Sequence, residues 1–258
     1  MGTDRATIFG QVAETYDRLR PRYPEAMYDD LVAESGLAPR SAILEIGAGT
    51  GIATIELVRR KFEVVAVDPD SRMLAVARDR LAGCSVTFVE STFRDFEAEP
   101  NSFQLVFAAG SWHWIDGSSG ARQAASLLAE DGSLGVAWNL ARPEGASRPA
   151  ALDDVYLRLA PELASGASQV KNRTQNHRRR EIAESGYFEQ PTSFSYTWER
   201  LLSTADYCQL LATHADHRML GAARLDRLLG AIGECVDSIG GSIRLPYETV
   251  MYVARRRD

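Results

Sequence analysis

Three glycines at alternate positions mark the part of the sequence best suited to hold a ligand. Gly47, Gly49 and Gly51 stand in the segment ILEIGAGTG, between an apolar run and an amphipathic one. Glycine is needed where a chain turns sharply and a ligand approaches the backbone. A plain tight turn is the alternative, but it does not require three glycines at this spacing. The segment therefore predicts a ligand-binding turn.

The spacing of these glycines bears on the kind of ligand. Dinucleotide-binding turns have the pattern G-x-G-x-x-G, in which a helix N-terminus meets the pyrophosphate. Here the third glycine comes one residue early, and Ile52 stands at the dinucleotide position. Glu45, two residues before the first glycine, would repel a phosphate and suit a cation. The sulfonium and ammonium groups of S-adenosylmethionine meet that requirement, and a pyrophosphate does not.

A further carboxylate, Asp68, follows the next apolar run, 19 residues after Gly49. An acidic side chain in this position can accept hydrogen bonds from the hydroxyls of a ribose. Asp68 could instead cap the helix predicted over Ser71–Leu81, and the two roles are compatible. The sequence therefore leaves both open for this residue.

Large aromatic and basic side chains cluster in the segment Ser111–Trp114, after another apolar run. In an open α/β sheet, ligands lie beyond the carboxyl ends of the strands, so these side chains would face a second reactant. His113 is the best candidate for a general base by its position and ordinary titration range. Buried packing of Trp112 and Trp114, with a hydrogen-bonded histidine between them, is the alternative. His214 and His217 are three residues apart with no third ligand in view, so no metal site is predicted.

These residues need a scaffold that brings them together, and the order of elements predicts one. Apolar strands alternate with helices of 10 to 12 residues, which indicates βαβ units and a parallel sheet with helices on both faces. The predicted strands are 41–46, 63–67, 86–89, 104–109, 133–138, 194–198 and 249–254. The predicted helices of the core are 50–61, 71–81 and 120–128. The inner face of the first has Ile52, Ile55 and Val58, and that of the second has Met73, Leu74 and Ala77. A turn is predicted at Asp131-Gly132.

The regular alternation of strands and helices stops at Pro143, and helices and polar loops follow. This change predicts further segments around the core. We divide the chain into an N-terminal helical lid (1–40), an α/β core (41–142), a helical cap (143–193) and a C-terminal region that completes the sheet (194–258). In the C-terminal region, Ser203 begins a capping box and residues 222–239 form an amphipathic helix. The basic residues of the cap, Lys171, Arg173 and Arg178 to Arg180, form either a solvated helix face or an attractive surface for an anionic acceptor.

Charge, apolar runs and cysteine content disfavour several classes of protein. The 258 residues include 29 basic and 35 acidic side chains, and a net charge of −6 disfavours a nucleic acid partner. No apolar run approaches the roughly 20 residues of a membrane span, and the first residues lack the pattern of a signal peptide. Three well-separated cysteines, Cys84, Cys208 and Cys235, suggest reduced thiols in a cytoplasm. Only two of the basic residues are lysines, a composition typical of a GC-rich bacterial genome.

The motifs together resemble a known family. ILEIGAGTG, VVAVDPDSRML, FQLVFAAGSWHWID and AETYDRLRPRYP are similar to the corresponding segments of class I S-adenosylmethionine-dependent methyltransferases. They most resemble the small-molecule group that includes the trans-aconitate methyltransferases. The resemblance implies a Rossmann-like sheet of seven strands, order 3-2-1-4-5-7-6 with the last strand antiparallel, and S-adenosyl-L-methionine as cofactor.

The resemblance also implies roles for individual residues. The implied cofactor-binding residues are Tyr16, Arg20, Glu45, Gly47, Ala48, Gly49, Thr50, Gly51, Asp68, Pro69, Met73, Thr92, Phe93, Ala109 and Gly110. The implied acceptor-binding residues are Tyr23, Trp112, Trp114, Trp138 and Asn139. The family usually has an aspartate for the adenine amino group where this chain has Thr92, so the backbone at Thr92-Phe93 is expected to read the adenine edge. Residues 9–24, which include Tyr16, Arg20 and Tyr23, would fold over the cofactor.

The expected activity is transfer of a methyl group to a small organic acceptor, with a carboxylate oxygen as the first choice. Such a transfer asks mainly for alignment and exclusion of water. A carboxylate needs no base at neutral pH, whereas a hydroxyl or carbon acid would need His113. The alternatives are a nicotinamide-dependent oxidoreductase and a non-catalytic S-adenosylmethionine-binding protein. The oligomeric state stays open.

Overall fold

A computed structural model of the chain describes residues 13–141, 150–164 and 177–257. This described part divides into two compact units. The first unit comprises residues 13–21, 140–141, 150–164 and 197–248, and the second comprises residues 22–139, 177–196 and 249–257. None of the described helices has the length and apolar character that a membrane span requires.

Seven strands form one mixed sheet in the order β3-β2-β1-β4-β5-β7-β6, as predicted. Their bounds are β1 Ala42–Ile46, β2 Glu63–Asp68, β3 Val86–Glu90, β4 Phe103–Ala109, β5 Leu128–Ala141, β6 Thr192–Ser203 and β7 Ser242–Arg255. The first five strands pair in parallel, with Glu45 of β1 opposite Ala66 of β2 and Phe107 of β4. Because these strands are parallel, their carboxyl ends lie along one edge of the sheet.

Eleven helices accompany the sheet in the described part of the chain. Their bounds are α1 Ala13–Leu19, α2 Glu25–Ser35, α3 Thr54–Arg59, α4 Ser71–Arg80, α5 Gly117–Leu127, α6 Ala150–Leu159, α7 Pro161–Ala164, α8 177–184, α9 Thr204–Ala212, α10 Ala215–Arg218 and α11 Ala222–Ser238. A 3₁₀ turn, Trp112–Trp114, follows β4. Helices lie between β5 and β6 and between β6 and β7, as the sequence indicates.

Local sequence explains where several helices begin and end. α2 ends at Gly36, whose φ of 63° is the left-handed conformation that glycine adopts without strain. Ser203 caps α9 by accepting a hydrogen bond from the backbone N–H of Asp206, which confirms the predicted cap. α11 ends at Ser238, and the N–H of Gly241 bonds back to the carbonyl of Val236.

Each unit has its own apolar core. In the second unit, Leu31 of α2, Ile43 of β1, Leu57 of α3 and Phe107 of β4 are almost fully buried together. In the first unit, the core joins α1, α6, α9 and α11, with Leu19 among its buried residues. The core of the second unit holds in place the strand ends that carry the candidate site.

The structure differs from the sequence predictions in the bounds of several elements and at one predicted turn. β5 already begins at Leu128, and the predicted turn at Asp131-Gly132 is instead a register shift against β4 between the Phe103 and Leu105 pairs. β7 already begins at Ser242 and β6 runs on to Ser203, so both strands are longer than predicted. α3 begins only at Thr54, after a glycine turn that occupies the first residues of the predicted helix.

The buried face of α3 also differs from the prediction. Thr54 and Leu57 are buried, whereas Ile52, Ile55 and Val58 are half-buried. The late start of the helix explains the difference, because it shifts which side chains the helix directs at the sheet. The predicted inner face of α4, with Met73, Leu74 and Ala77, is confirmed.

Candidate active site

The glycine turn lies at the carboxyl end of β1. Gly47, Gly49 and Gly51 all have positive φ, at 67°, 57° and 79°. A Cβ at Gly47 would collide with the side chain of Ser111, and one at Gly51 would lie 3.0 Å from Leu81 Cδ1. A Cβ at Gly49 would meet only Met73 Cε among the described residues, at 3.4 Å. Gly49 therefore leaves space for a ligand. At Gly47 and Gly51, by contrast, close packing against Ser111 and Leu81 leaves no room for a side chain.

The backbone N–H groups of this turn point into the protein. Those of Gly47 and Ala48 donate to the carbonyl of Val67, and that of Gly51 donates to the carbonyl of Ala48. The N–H of Gly49 donates to Asp68 Oδ2 at 2.9 Å. A pyrophosphate site needs such N–H groups to be directed at the ligand. In this turn four of them are already used, which disfavours a dinucleotide phosphate.

Asp68, the last residue of β2, is buried and holds two backbone groups at once. Its Oδ2 accepts from Gly49 N, and its Oδ1 accepts from Asp70 N at 2.9 Å. Burial raises the pKa of Asp68 to about 6, against the opposing effect of these hydrogen bonds. Each carboxylate oxygen has a further lone pair, so the side chain can still accept from ribose hydroxyls.

The helix-capping role that the sequence left open for Asp68 belongs to Asp70. The side chain of Asp70 accepts a hydrogen bond from the N–H of Arg72 at the start of α4, and pairs with the Arg72 guanidinium at 3.0 Å. The capping alternative for Asp68 is therefore wrong. A single residue, Pro69, separates Asp68 at the end of β2 from Asp70, which caps α4.

Glu45 is the second buried carboxyl group beside the turn. Its side chain is 1% exposed, and its Oε2 has no hydrogen-bond partner among the described residues. Burial, with a smaller contribution from the nearby Asp68 carboxylate, raises the pKa of Glu45 to about 8. An unpartnered buried carboxyl oxygen is energetically unfavourable unless a ligand or proton satisfies it. A cationic ligand would do so, and this fits the cofactor that the sequence suggests.

The turn after β3 contains a carboxylate that sequence reasoning missed. Thr92 Oγ1 donates to Asp95 Oδ2 at 2.6 Å, and the N–H of Asp95 bonds back to Thr92 Oγ1. Gln123 of α5 donates to the carbonyl of Phe93 at 2.6 Å and so ties this turn to the helix. The turn therefore has an aspartate three residues after Thr92, and its carboxylate accepts a hydrogen bond within the turn. The signal in the sequence was a Thr-x-x-Asp pattern typical of a hydroxyl-capped turn.

The remaining residues expected near the cofactor lie at neighbouring strand ends. Met73 is buried with its methyl group beside Gly49, and Pro69 is half-buried. Ala109 ends β4, and Gly110, the residue that follows, has a φ of 78°. The hydroxyl of Tyr23 lies 3.2 Å from where a Cβ at Gly110 would stand, so Tyr23 borders this strand end.

His113 is held at both its ring and its backbone. The indole nitrogen Nε1 of Trp138, near the end of β5, donates to His113 Nδ1 at 3.3 Å. Arg178 of α8 donates to the carbonyl of His113 at 3.1 Å and pairs with Glu181 at 2.7 Å. Trp138 is buried against the ring of Tyr252, with 6.2 Å between ring centroids. The structure thus brings together two residues 25 positions apart that the sequence placed separately in the acceptor region.

The two tryptophans beside His113 differ in their surroundings. Trp112 is fully buried and packs on Phe93, so the packing alternative fits this residue. Trp114 is 49% exposed, and the packing alternative does not fit it. Asn139 accepts a hydrogen bond from Thr249 Oγ1 at 2.5 Å, which holds its side chain at the end of β5.

Tyr16 and Arg20 lie in the first unit. Arg20 stacks over the Tyr16 ring, 4.6 Å from its centroid, and donates to the carbonyl of Thr213 at 3.0 Å. Leu19 between them is buried, and Arg18 pairs with Asp206 at 2.7 Å. These contacts pack α1 within its own unit. A role of Tyr16 and Arg20 at the cofactor stays a prediction.

The structure places a third residue beside the two histidines for which the sequence showed no partner. Ligand atoms of His214, Asp216 and His217 lie within 4.8 Å of one another. Both ring nitrogens of the buried His217 are already engaged, Nδ1 with Asp216 and Nε2 with the hydroxyl of Tyr156, each at 2.8 Å. A metal ion would have to displace one of these contacts, so we assign no metal to this cluster.

The basic residues predicted in the cap are only partly within the described chain. Lys171 and Arg173 lie outside it. Arg178 is used internally, as described, and Arg179 lies over the ring of Tyr252 at 6.0 Å. For Arg178 at least, the solvated-face alternative does not hold, because its side chain is only 18% exposed.

Comparison with known proteins places part of this chain beside methyltransferases. Residues 43–132 match the family model described as a methyltransferase domain. An uncharacterised methyltransferase of Mycobacterium tuberculosis is 36% identical over 136 residues, which make up 53% of this chain and 54% of that protein. The chain therefore spans about half the length of the curated relatives it matches. The matched domain contains the glycine turn, Asp68 and His113.

Solved structures show that the fold is that of methyltransferases. A candidate type II methyltransferase from Anaeromyxobacter dehalogenans superposes with a TM-score of 0.63 at 22% identity, covering 92% of this chain and 97% of that one. Phosphoethanolamine N-methyltransferase 2 of Haemonchus contortus, in complex with phosphomonomethylethanolamine and S-adenosylhomocysteine, gives a TM-score of 0.56 at 16% identity. That comparison covers 99% of this chain and 59% of the other.

Proposed function

We propose that this protein transfers a methyl group from S-adenosylmethionine to a small organic acceptor. The observation that carries the proposal is a glycine turn whose backbone donors face inward while two buried carboxyl groups, Glu45 and Asp68, stand beside it. This arrangement suits a cationic ligand with ribose hydroxyls and disfavours a pyrophosphate. The match of residues 43–132 to a methyltransferase domain supports the same activity.

Different residues of the second unit would contact different parts of the cofactor. Asp68 would accept the ribose hydroxyls while it keeps Gly49 in place, and Glu45 would neutralise positive charge at the methionine end. The Thr92–Asp95 turn and Met73 would border the adenine. When bound, S-adenosylmethionine supplies a methyl group already activated by the positive charge of its sulfur. The protein must then align the acceptor with that methyl group and exclude water.

We further propose that the acceptor oxygen belongs to a carboxylate, as the resemblance to the trans-aconitate methyltransferases suggests. A carboxylate is ionised at neutral pH and needs no base, so positioning carries most of the rate. Tyr23 borders the carboxyl end of β4, and His113 and Trp114 lie in the 3₁₀ turn that follows it, where an acceptor would lie. The three cysteines are free thiols, which supports a reducing, cytoplasmic setting.

The proposal is tested by binding and then by turnover. Calorimetric titrations with S-adenosylmethionine, S-adenosylhomocysteine and NADH should show binding of the first two only. Incubation with methyl-labelled S-adenosylmethionine and a panel of small carboxylic acids should then give a labelled product that mild alkali hydrolyses to methanol, as expected of a methyl ester. Binding of NADH alone would point to an oxidoreductase. Binding of S-adenosylmethionine without turnover on any small-molecule extract would point to a non-catalytic binding protein.

A further inference from the structure

The hydrogen bond between Trp138 and His113 determines which ring nitrogen of His113 carries the proton. An indole nitrogen can only donate, so His113 Nδ1 must be the acceptor in the 3.3 Å contact. A neutral imidazole has one protonated and one unprotonated nitrogen. With Nδ1 accepting, the proton of the neutral ring is on Nε2.

The surroundings of both residues make this arrangement rigid. Trp138 is 5% exposed and packs on Tyr252, so its indole cannot turn away easily. The backbone of His113 is fixed by the hydrogen bond from Arg178, whose guanidinium is itself held by Glu181. The ring of Trp114 lies against that of His113, with 4.7 Å between centroids. Rotation of the imidazole would therefore break its hydrogen bond with Trp138 and its contact with the ring of Trp114.

We propose that Trp138 is a positioning residue that holds His113 in the Nε2–H form, so that His113 donates a hydrogen bond to the acceptor and does not act as a base. The nitrogen that a base would need, Nδ1, is occupied by the indole N–H. A donor at this position favours an anionic oxygen as its partner. This inference rests on the proposed function and narrows its acceptor class to molecules that arrive already ionised.

The reaction balances without a proton acceptor. One carboxylate oxygen supplies the electron pair for the new O–CH₃ bond, and the pair of the breaking CH₃–S bond stays on sulfur, which loses its positive charge. The other carboxylate oxygen can accept the hydrogen bond from His113 Nε2–H. No proton moves in this step, in contrast to transfer onto a neutral hydroxyl or a carbon acid.

The protonated nitrogen can be identified without knowing the acceptor. In two-bond ¹H–¹⁵N spectra of the ¹⁵N-labelled full chain, the two tautomers give different patterns, and His113→Gln identifies the signals of His113 among the four histidines. We expect the Nε2–H pattern in the parent protein and a mixture of tautomers in Trp138→Phe, which keeps an aromatic ring but removes the donor. Trp198→Phe, at a tryptophan that stacks on Tyr247 in the first unit, should leave the pattern unchanged. An Nδ1–H pattern in the parent would overturn the proposal.

Substitutions of His113 separate a donor from a base in the transfer itself. Glutamine retains an N–H donor and phenylalanine does not, so we expect His113→Gln to keep at least a tenth of the rate on a carboxylate acceptor and His113→Phe to lose more than a hundredfold. Trp138→Phe should reduce kcat about tenfold with little change in cofactor affinity. Equal loss in both His113 variants, with a parent rate that rises with pH through the range of histidine titration, would instead identify a base. If no S-adenosylmethionine binds at all, the proposed function fails, whereas the tautomer measurement remains decisive for Trp138.

Discussion

The carboxylate of Asp68 accepts a hydrogen bond from the backbone N–H of Gly49, with 2.9 Å between Gly49 N and Asp68 Oδ2. The same carboxylate accepts from the N–H of Asp70 through its other oxygen. One buried side chain thus joins the glycine turn after β1 to the segment between β2 and α4. Its loss would affect the shape of the turn as well as any direct contact with a ribose.

Replacement of Asp68 should therefore weaken cofactor binding strongly. Hydrogen bonds to a charged group contribute about 1.5–3 kcal/mol, so Asp68→Ala should raise the dissociation constant for S-adenosylmethionine roughly 10- to 150-fold. We expect Asp68→Asn to be nearly as harmful, because its amide nitrogen would face a backbone N–H on one side. Isothermal titration calorimetry measures the effect.

Asp70→Ala is the matched control for this substitution. It keeps the backbone N–H that bonds to Asp68 but removes the cap of α4, so it should lower the free energy of unfolding by about 1 kcal/mol and leave the affinity nearly unchanged. If Asp68→Ala binds as tightly as the parent, the ribose role belongs to another residue. An equal loss of affinity in both variants would mean that the loss comes from the destabilised β2–α4 segment.

A side chain at Gly49 should exclude the cofactor from the turn. Gly49→Val places a Cβ in the space assigned to the ligand, where Met73 is the one neighbour among the described residues. Gly36→Val is the matched control, because Gly36 has a similar φ of 63° and no atom of the described chain lies within 4 Å of its Cβ position. Both variants should lose about 1–2 kcal/mol of stability from left-handed strain, and Gly49→Val alone should lose affinity, by more than about a hundredfold. Comparable affinities of the two variants would show that the ligand binds elsewhere.

The raised pKa of Glu45 predicts a pH dependence of stability. The folded protein keeps the Glu45 proton up to about pH 8, whereas the unfolded chain loses it near 4.5, so this group makes the free energy of unfolding fall as pH rises between those values. Glu45→Gln should match the parent near pH 5 and exceed it by more than about 1 kcal/mol near pH 9. Urea denaturation at both pH values measures this, with the exposed Glu90→Gln as a control. A parent that is as stable as the variant at pH 9 would contradict a buried, proton-retaining Glu45.

Cofactor binding should also displace that proton. A cationic ligand favours the ionised carboxylate, so binding of S-adenosylmethionine at pH 7 should release up to one proton, and Glu45→Gln should abolish the release. Calorimetry in buffers of different ionisation enthalpy gives the number of protons directly. Identical release by the parent and the variant would assign the linked group elsewhere.

The N-terminal segment offers a test of the predicted lid. Leu19 is buried, and Arg18 and Arg20 are bonded to α9 and the residue that follows it, so we expect residues 13–21 to be protected from hydrogen exchange before any ligand is added. A lid that closes on the cofactor would instead become protected only when S-adenosylhomocysteine is present. Equal protection in the two states would show that α1 is a permanently packed helix.

Much of the core was predictable from the sequence because its signals are local. An apolar run followed by glycines or Asp-Pro defines a strand end, and alternation of such runs with helical periodicity predicts a parallel sheet. The cofactor-binding turn, Asp68 and the side chains after β4 could be assigned in this way, since parallel strands bring their carboxyl ends to one edge. The order of the seven strands came from the resemblance to a family.

Only the tertiary structure decided how these side chains are bonded. The hydrogen bond from Gly49 to Asp68, the helix cap at Asp70 in place of Asp68, and the indole of Trp138 on His113 depend on distances that periodicity does not encode. The same holds for the extra length of β5 and β7, which pairing with neighbouring strands determines. Residue types and spacing therefore indicated which chemistry is present, whereas the folded backbone decided which groups come within hydrogen-bond distance of one another.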